Sequence, residues 1–386
     1  MTRSEYTLGP DSTPQSDVPK GTIEKRCLTD SRCYPGTSHD YWIYVPHQYR
    51  DAEAACVMFF QDGDAYVDLE GSVRVPTVFD NLIDKQEMPT CVGVFVNPAS
   101  LEEQFDQRSS EYCPLTDTYA RFLLEEISVD VAKEVSLVGD REGRAICGMS
   151  DGGLCAFNAA WHRTDAISKV VSHIGSYTRL HQGSDYPYLI RNTRGDPKPI
   201  RVFLQDGEND INITEGNWTL ANLAMASALM YARYDYRFDQ GTGGHDLVHA
   251  GAIFPDTLRW LWRDFPGVRR DPAHPTLDSL VGEWEIVVNY FGDLRRSMLR
   301  IERSTDGLSG SLRNDDDGEL EILAISFDDE ILSYTFVSPP SQKSWAKGTH
   351  NTMNTWLKVF GDSLEGALSM SEDIPMDLLV RGHRIH

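Results

Sequence analysis

A serine between two glycines is the strongest chemical signal in the sequence. Residues 148–152 spell Gly-Met-Ser-Asp-Gly, the G-x-S-x-G pattern of a nucleophile elbow. Apolar residues precede this pattern and an alanine-rich stretch follows it to His162, which predicts a buried strand, a sharp turn and a helix. Such a turn projects the serine hydroxyl clear of the sheet, and the first helix amides point to where an oxyanion forms. We therefore predict that Ser150 is a nucleophile; the alternative is an ordinary glycine-rich turn.

The serine needs two partners, because its hydroxyl is a weak nucleophile without a base and a carboxylate that orients the base. In a doubly wound hydrolase sheet, both follow the serine on loops after strands, the acid before the histidine. Asp206 and Asp210 follow one predicted strand, and His245 follows the next, after three glycines in four residues. These glycines suit a loop that folds back over Ser150, which favours His245 over His249, the first residue of the last predicted helix. From the residues alone, the acid is either of the two aspartates.

The elements that must position these groups alternate between strands and helices. Besides the strand of the elbow, strands are predicted over residues 41–45, 55–60, 91–96, 169–173, 200–204 and 234–238. Helices are predicted over residues 118–135, 152–162, 218–231 and 249–265. Continuous apolar strands that alternate with helices indicate a doubly wound, mostly parallel α/β sheet.

The pattern changes after this α/β region. Residues 1–37 predict an extended lead-in, residues 38–266 the α/β domain, and residues 267–276 a linker rich in proline and charge. Over residues 277–386 the helical periodicity disappears, and short strands alternate with turns. This second domain is predicted to be a small all-β barrel or sandwich.

Composition limits the partners. The chain has 386 residues and a formal net charge of -23, which argues against nucleic acid or an anionic membrane as a partner. No run of residues approaches the length that spans a membrane. The first six residues lack the apolar core of a signal peptide, so the sequence as written predicts a cytoplasmic protein, or a secreted or periplasmic one if a leader was removed. A homodimer is left open.

The seven cysteines and eleven histidines show no zinc-ligand spacing, so no metal site is predicted. Cys27 and Cys33 are close enough in sequence to pair in an oxidising compartment, and this too is left open.

Five motifs, in their order and spacing, resemble the esterase D family of α/β-hydrolases, close to its enterochelin-esterase-like branch. They are Phe-Gln-Asp-Gly at 60–63, Arg-Ser-Ser-Glu-Tyr at 108–112, Gly-Met-Ser-Asp-Gly-Gly at 148–153, Gly-Glu-Asn-Asp at 207–210 and Gly-Gly-His at 243–245. The resemblance covers residues 38–266 and implies an α/β-hydrolase fold. It also implies Ser150 as the nucleophile, His245 as the base and, from the G-x-x-D loop, Asp210 rather than Asp206 as the acid.

The resemblance assigns the oxyanion hole to two backbone amides, those of Asp151 and Asp64. Carboxylates at both positions oppose a developing oxyanion unless they point away, or pair with Arg108 or a helix amide. Arg108 resembles an active-site arginine of the enterochelin-esterase branch. The equally weighted alternative is an ion pair with Glu111 that braces the loop.

Several aromatic residues lie next to loops expected at the cleft, which favours an aromatic or sugar ester as substrate. These residues are Tyr66, Trp161, Tyr177, Tyr186 and Trp218. We predict that Arg108, Glu111, Trp218 and His249 bind the substrate.

The C-terminal domain resembles, more weakly, small calycin-like β modules appended to bacterial hydrolases. Residues 280–284, 307–310 and 379–382 carry this likeness. Trp284 is predicted to be a core tryptophan that closes one end of a barrel.

Together these observations predict a serine carboxylic-ester hydrolase that forms an acyl-enzyme and needs no metal or organic cofactor. The predicted substrates are small-molecule or saccharide esters, namely aryl esters of the feruloyl or catecholate type or acetylated sugars. Two alternatives remain open. One is an acyltransferase that uses the same triad, and the other is a catalytically weak ester- or sugar-binding protein, which the aspartates at both oxyanion positions keep open.

Overall fold

The computed structural model describes residues 6–99, 107–270, 274–314, 318–338, 352–369 and 376–386. The chain divides into two compact units, residues 1–271 and 272–386. The boundary falls within the predicted linker, of which residues 271–273 lie outside the described part of the chain.

The strands of the first unit are β1 (Thr22–Thr29), β2 (Ser38–Val45), β3 (Cys56–Gln61), β4 (Cys91–Val96), β5 (Arg144–Met149), β6 (Lys169–His173), β7 (Arg201–Gly207), β8 (Asn212–Ile213), β9 (Gly216–Asn217) and β10 (Asp235–Gly241). Its α-helices are α1 (Gly63–Val67), α2 (Val75–Asp84), α3 (Gln107–Tyr112), α4 (Thr118–Phe122), α5 (Ser128–Val131), α6 (Asp151–His162), α7 (Tyr186–Arg191), α8 (Trp218–Ala232) and α9 (Val248–Trp262). A π-helical turn (Leu123–Ile127) joins α4 to α5, and short 3-10 turns lie at Pro10–Ser12, Arg141–Gly143, Arg179–His181 and Gly183–Asp185.

Eight of these strands form one sheet in the order β1-β2-β4-β3-β5-β6-β7-β10. Six neighbouring strands of this sheet, β4, β3, β5, β6, β7 and β10, are parallel to one another. Strand β2 is antiparallel to both of its neighbours. The predicted doubly wound, mostly parallel sheet is therefore confirmed. The edge strand β1 lies within the predicted lead-in, so part of that segment belongs to the sheet.

The central strands are buried on both faces because helices cover both sides of the sheet. In β3, Val57 and Phe59 point into one apolar core, while Met58 and Phe60 point into the other. This alternation within a continuously apolar strand is the pattern of a sheet with helices on both sides. The carboxyl ends of the parallel strands then meet at one edge, where the loops that follow β5, β7 and β10 emerge.

The second unit begins with helix α10 (Leu277–Leu280). Its strands are β11 (Gly282–Tyr290), β12 (Asp293–Ser304), β13 (Gly307–Asn314), β14 (Gly318–Asp328), β15 (Ile331–Val337), β16 (Thr352–Phe360), β17 (Ser363–Ser369) and β18 (Asp377–Ile385). They form a closed antiparallel barrel, in which β18 returns to pair with β11.

The interior of the barrel is filled by its own side chains, including Trp284, Leu299 and Leu357. Trp284 is fully buried, donates from its indole N–H to the Leu280 carbonyl at 2.9 Å, and lies under the Arg384 guanidinium. Of the two predicted folds, barrel or sandwich, the second unit has the barrel. Trp284 lies in its core.

All seven cysteines are free thiols, so Cys27 and Cys33 do not pair in this structure. No helix in the described part of the chain is both long enough and apolar enough to cross a membrane.

Candidate active site

Ser150 lies on a sharp turn between β5 and α6, with φ 56° and ψ −119°. This backbone conformation is rare for a residue with a side chain and is a source of local strain. A Cβ atom on Gly148 would lie 2.2 Å from the Gly152 carbonyl oxygen, so the turn requires glycine at that position. The Ser150 N–H donates to the His173 carbonyl at 2.9 Å, which ties the turn to the neighbouring strand. The strand, turn and helix predicted from the sequence are all present.

The structure brings Ser150, His245 and Asp210 together at the carboxyl edge of the sheet. Ser150 Oγ lies 3.0 Å from His245 Nε2, and His245 Nδ1 lies 2.6 Å from Asp210 Oδ1. The Asp210 side chain is fully buried, whereas a quarter of the His245 side chain is exposed. A serine, a base and an orienting carboxylate in this order can perform nucleophilic acyl transfer.

The loops that carry the acid and the histidine are bound to each other. The Asn209 N–H donates to the Gly243 carbonyl at 3.1 Å. A Cβ atom on Gly207 would lie 2.0 Å from that same carbonyl oxygen, so the close approach depends on glycine. Glycine at position 207 therefore allows the loop of Asp210 to lie against the loop of His245.

Asp206, the rival acid, lies at the end of β7, and the hydrogen bond from His245 goes to Asp210 instead. Its Oδ1 accepts from the Gly207 N–H at 2.8 Å, and its side chain is fully buried beside Asp210. Burial and the hydrogen bond with Asp210 raise the pKa of Asp206 well above its ordinary value. Burial alone would also raise the pKa of Asp210, but hydrogen bonds with His245 and Asp206 hold it below its ordinary value. These opposite pKa shifts favour the proton on Asp206 and the charge on Asp210.

The two predicted oxyanion amides differ in their surroundings. Asp151 is the first residue of α6, where the helix dipole favours negative charge. The Asp64 N–H donates to Asn97 Oδ1 at 3.0 Å. An oxyanion at Asp64 would therefore have to displace this side chain, so its amide is not the free donor that the sequence analysis expects.

Arg108 neutralises the carboxylates next to the elbow. Its Nε and Nη2 donate to the two oxygens of Asp62 at 2.7 and 2.8 Å, and its Nη1 lies 3.1 Å from Asp151 Oδ2. The guanidinium also donates to the Met149 carbonyl at 3.2 Å. The Asp64 carboxylate accepts from the Ala65 N–H, at the start of α1. Both aspartates at the oxyanion positions therefore have the compensating partners that an oxyanion beside them would require.

The alternative ion pair between Arg108 and Glu111 does not form in this structure, because the guanidinium faces Asp62 and Asp151. The contact of Glu111 with substrate stays a prediction. The Glu111 carboxylate is fully buried, and one of its oxygens accepts from the Ala99 N–H, from Gln107 Nε2 and from His39 Nε2. Glu111 therefore joins α3 to β2 and to the segment that follows β4. Arg108 keeps nearly a third of its side chain exposed, and its contact with substrate stays a prediction.

His249 and Trp218 are also buried rather than open to a substrate. His249 Nδ1 lies 3.0 Å from Gln205 Nε2, its Nε2 lies 3.3 Å from Asp239, and its ring stacks on Tyr6. Trp218 is 2% exposed and lies edge-on to the His245 ring. Neither side chain is open in this structure, and the contact of either with substrate stays a prediction. The other aromatic residues expected at the cleft are likewise buried: Tyr66, Trp161, Tyr177 and Tyr186.

Ser176 is the residue of this site that the sequence analysis missed. Its Oγ lies 3.2 Å from Ser150 Oγ, and Trp218 donates to it from the indole N–H at 3.3 Å. It follows Gly175 just after β6, the strand beside β5, so its place at the carboxyl edge of the sheet is the signal that could have found it.

Among the described residues, one group has donor atoms close enough together to hold a metal ion, namely Cys113, Asp151 and His181. The Asp151 carboxylate in this group already faces the Arg108 guanidinium, so a cation would meet a positive charge. These residues fit a metal poorly, and the absence of a metal from the reaction stays a prediction.

The family model described as "Putative esterase" matches residues 34–260. No curated protein matches the chain in sequence. The match confirms the resemblance carried by the five motifs of residues 38–266.

Solved structures with the same fold include esterases of two kinds. The enterobactin esterase of Shigella flexneri is 22% identical, with a TM-score of 0.52, over 64% of this chain and 60% of its own. The ferulic acid esterase of the anaerobic fungus Anaeromyces mucronatus is 18% identical, with a TM-score of 0.54, over 69% of this chain and 98% of its own. The chain thus spans about 60% of the length of the enterobactin esterase. At these identities the likeness establishes the fold.

Proposed function

The chain belongs to the Esterase family of ester hydrolases, and from this premise we propose that it is a serine carboxylic-ester hydrolase with a Ser150–His245–Asp210 triad. The observation that carries the proposal is the continuous line of hydrogen bonds from Ser150 Oγ through both ring nitrogens of His245 to Asp210. Asp210 accepts from Nδ1, so Nε2 is left as the acceptor for the serine proton.

In the first half of the reaction, Ser150 Oγ attacks the ester carbonyl carbon while its proton moves to His245 Nε2. The carbonyl π electrons move to the oxygen, which becomes the oxyanion. When this intermediate collapses, the bond to the alcohol oxygen breaks, and His245 gives its proton to the departing alcohol. The product of this half is an acyl-enzyme on Ser150.

In the second half, water takes the place of the alcohol. His245 accepts a proton from water as the water oxygen bonds to the acyl carbon, and a second oxyanion forms. Collapse breaks the bond to Ser150 Oγ, which recovers its proton from His245. The carboxylic acid then leaves, and the enzyme returns to its starting state.

The Asp151 N–H at the first turn of α6 is the best supported oxyanion donor. Arg108 makes this position usable, because it compensates the Asp151 carboxylate that would otherwise repel the oxyanion. Asp64 would be the second donor, once its amide leaves the Asn97 side chain.

The charges around the elbow favour a neutral ester. The Asp62 carboxylate is repelled by those of Asp64 and Asp151, and the Arg108 guanidinium pairs with two of the three, Asp62 and Asp151. The guanidinium of Arg108 already forms ion pairs with Asp62 and Asp151, so it offers little attraction to a carboxylate on the substrate. The two solved structures compared above are an enterobactin esterase and a ferulic acid esterase, which supports a neutral aryl ester; an acetylated sugar is the second candidate.

A screen of neutral and anionic esters tests this function. Wild type and Ser150→Ala would be compared on methyl ferulate, an acetylated xylose and a succinate monoester of matched alcohol. We expect turnover of a neutral ester by wild type, at least tenfold slower turnover of the succinate ester, and background rates in Ser150→Ala. Product analysis with an added sugar acceptor separates hydrolysis from acyl transfer. If folded wild type turned over none of these esters, the result would favour the alternative function, a catalytically weak ester- or sugar-binding protein.

A further inference from the structure

A second buried hydroxyl contacts the proposed nucleophile. The Ser176 side chain is fully buried, and its Oγ lies 3.2 Å from Ser150 Oγ. The Ser176 N–H also donates to the Ser150 carbonyl at 3.0 Å. The backbone of the elbow therefore holds the Ser176 hydroxyl against the oxygen that would attack the ester.

The surrounding groups determine which of the two hydroxyls donates. His245 Nδ1 carries its proton toward Asp210, so Nε2 is an acceptor and Ser150 must donate to it. A hydroxyl has one proton, so Ser150 Oγ has lone pairs alone to offer in its second contact. The donor in the 3.2 Å hydrogen bond is therefore Ser176.

Trp218 fixes Ser176 from the other side. An indole N–H donates and cannot accept, so Ser176 Oγ accepts from Trp218 across 3.3 Å and donates to Ser150. The same indole ring lies edge-on to His245, with ring centres 6.0 Å apart. The hydrogen bonds thus run in one direction, from Trp218 through Ser176 and Ser150 to His245, and each donor polarises the next hydroxyl.

We propose that Ser176 is a catalytic residue, which donates a hydrogen bond to the Ser150 oxygen and is oriented by Trp218. This inference rests on the proposed triad. Negative charge develops on the Ser150 oxygen as its proton moves to His245, and again when the acyl carbon–oxygen bond breaks and that oxygen takes the bonding pair. A donor already aimed at this oxygen stabilises the charge in both half-reactions. Ser176 keeps its own proton throughout, so no further reactant is needed.

The experiment compares Ser176→Ala with Ser172→Ala in the full chain. Ser172 is an equally buried serine, on β6, and its Oγ accepts from the Tyr177 hydroxyl at 2.9 Å. The probes are p-nitrophenyl acetate for turnover and a fluorophosphonate for the reaction of Ser150 alone. We expect Ser176→Ala to lower both kcat and the labelling rate by about 10- to 100-fold with little change in KM, as for loss of a preorganised donor. Ser172→Ala should keep kcat within about twofold, as expected for a residue away from the chemistry.

Trp218→Phe provides the second variant, because it removes the indole N–H and keeps a ring beside His245. It should lower kcat by about two- to tenfold, the size of one neutral hydrogen bond. It should have no further effect on top of Ser176→Ala, since Trp218 acts through Ser176.

Three outcomes would overturn the role of Ser176: a kcat within twofold of wild type in folded Ser176→Ala, an equal loss in Ser172→Ala, or full additivity of the Trp218 and Ser176 substitutions. The proposed function fails in a different way, namely if Ser150→Ala keeps wild-type turnover.

Discussion

The Arg108 guanidinium lies 3.1 Å from the carboxylate of Asp151, the residue that follows the proposed nucleophile in the chain. The same guanidinium holds both oxygens of Asp62. Although burial opposes the charge on Arg108, its hydrogen bonds with Asp62 raise its pKa above the ordinary value. One cation therefore compensates two carboxylates at the place where an oxyanion would form.

Removal of this cation should impair catalysis through the Asp151 carboxylate that it compensates. We expect Arg108→Met to lower kcat by about 100-fold, because the freed Asp151 carboxylate would oppose the oxyanion. Asp151→Asn in the same chain should restore at least about tenfold of this loss, since it removes the opposing charge. Steady-state kinetics on a neutral aryl ester would measure both effects.

Arg121→Met is the matched control, because Arg121 forms an exposed ion pair with Glu125, and such pairs contribute little. Its kcat should equal that of wild type. If Asp151→Asn deepened the defect of Arg108→Met, Arg108 would act by a means other than charge compensation.

The same substitution should have very different effects on kcat at the two aspartates that follow β7. Asp206→Asn should keep most of the activity, because a protonated carboxyl and an amide both donate a hydrogen bond to Asp210. Asp210→Asn should lose about 1,000-fold or more, because an amide no longer holds the required tautomer of His245. Measurement of kcat for the two variants provides the test, and a larger loss in Asp206→Asn would reverse the assignment of the acid.

Asp206 also predicts a pH dependence of stability. Its pKa is raised in the folded state, so its contribution to stability is complete below the unfolded value of 3.8 and is lost as the pH rises toward the folded value. Asp206→Asn removes this loss. The unfolding free energy of the variant minus that of wild type should therefore increase as the pH rises from about 5 to about 8. A constant difference across this range would contradict a protonated Asp206.

His173 predicts the opposite trend on the acid side. It is fully buried beside Tyr66 and Cys147, and burial, with a smaller effect of His249, lowers its pKa to about 3. A lowered folded pKa means that its contribution to stability is present above the unfolded value of 6.5 and is lost as the pH falls. Between about pH 6.5 and about pH 5 the first unit should lose about 2 kcal/mol through this residue.

Hydrogen exchange of the β5 and β6 amides would measure this loss. His173→Gln should weaken the dependence on pH, because glutamine does not titrate. His383→Gln, at an exposed histidine of the barrel, is the control and should leave the dependence unchanged. If wild type and His173→Gln showed equal slopes, His173 would not be the buried neutral group that the structure describes.

Short sequence patterns predicted the fold, and they predicted that His245 and an aspartate after β7 lie next to Ser150. The continuous apolar stretch of β3, the glycines around the elbow and those before His245 each specify a local backbone, and the sheet topology then brings their loops to one edge. The choice between Asp206 and Asp210 needed the family resemblance, because both follow the same strand. The turns of the C-terminal residues likewise predicted an all-β domain.

The orientations of individual side chains could not be predicted in this way. Glu111 and His249 lie near cleft loops in the sequence, yet distant partners bury them: His39 on β2 for Glu111, and Gln205 on β7 for His249. Ser176 was missed for the same reason. Its importance comes from contacts with Ser150 and Trp218, and no local pattern marks them.

The central claim is that Ser150 is the nucleophile of an acyl-enzyme reaction. Its most direct test is to incubate folded wild type and His245→Gln with a fluorophosphonate probe and to locate the adduct by peptide mass spectrometry. We expect one adduct per chain, on the peptide that contains Ser150, and labelling slowed by about 1,000-fold or more in His245→Gln. Wild type that is folded and active on esters yet leaves Ser150 unmodified would contradict this claim.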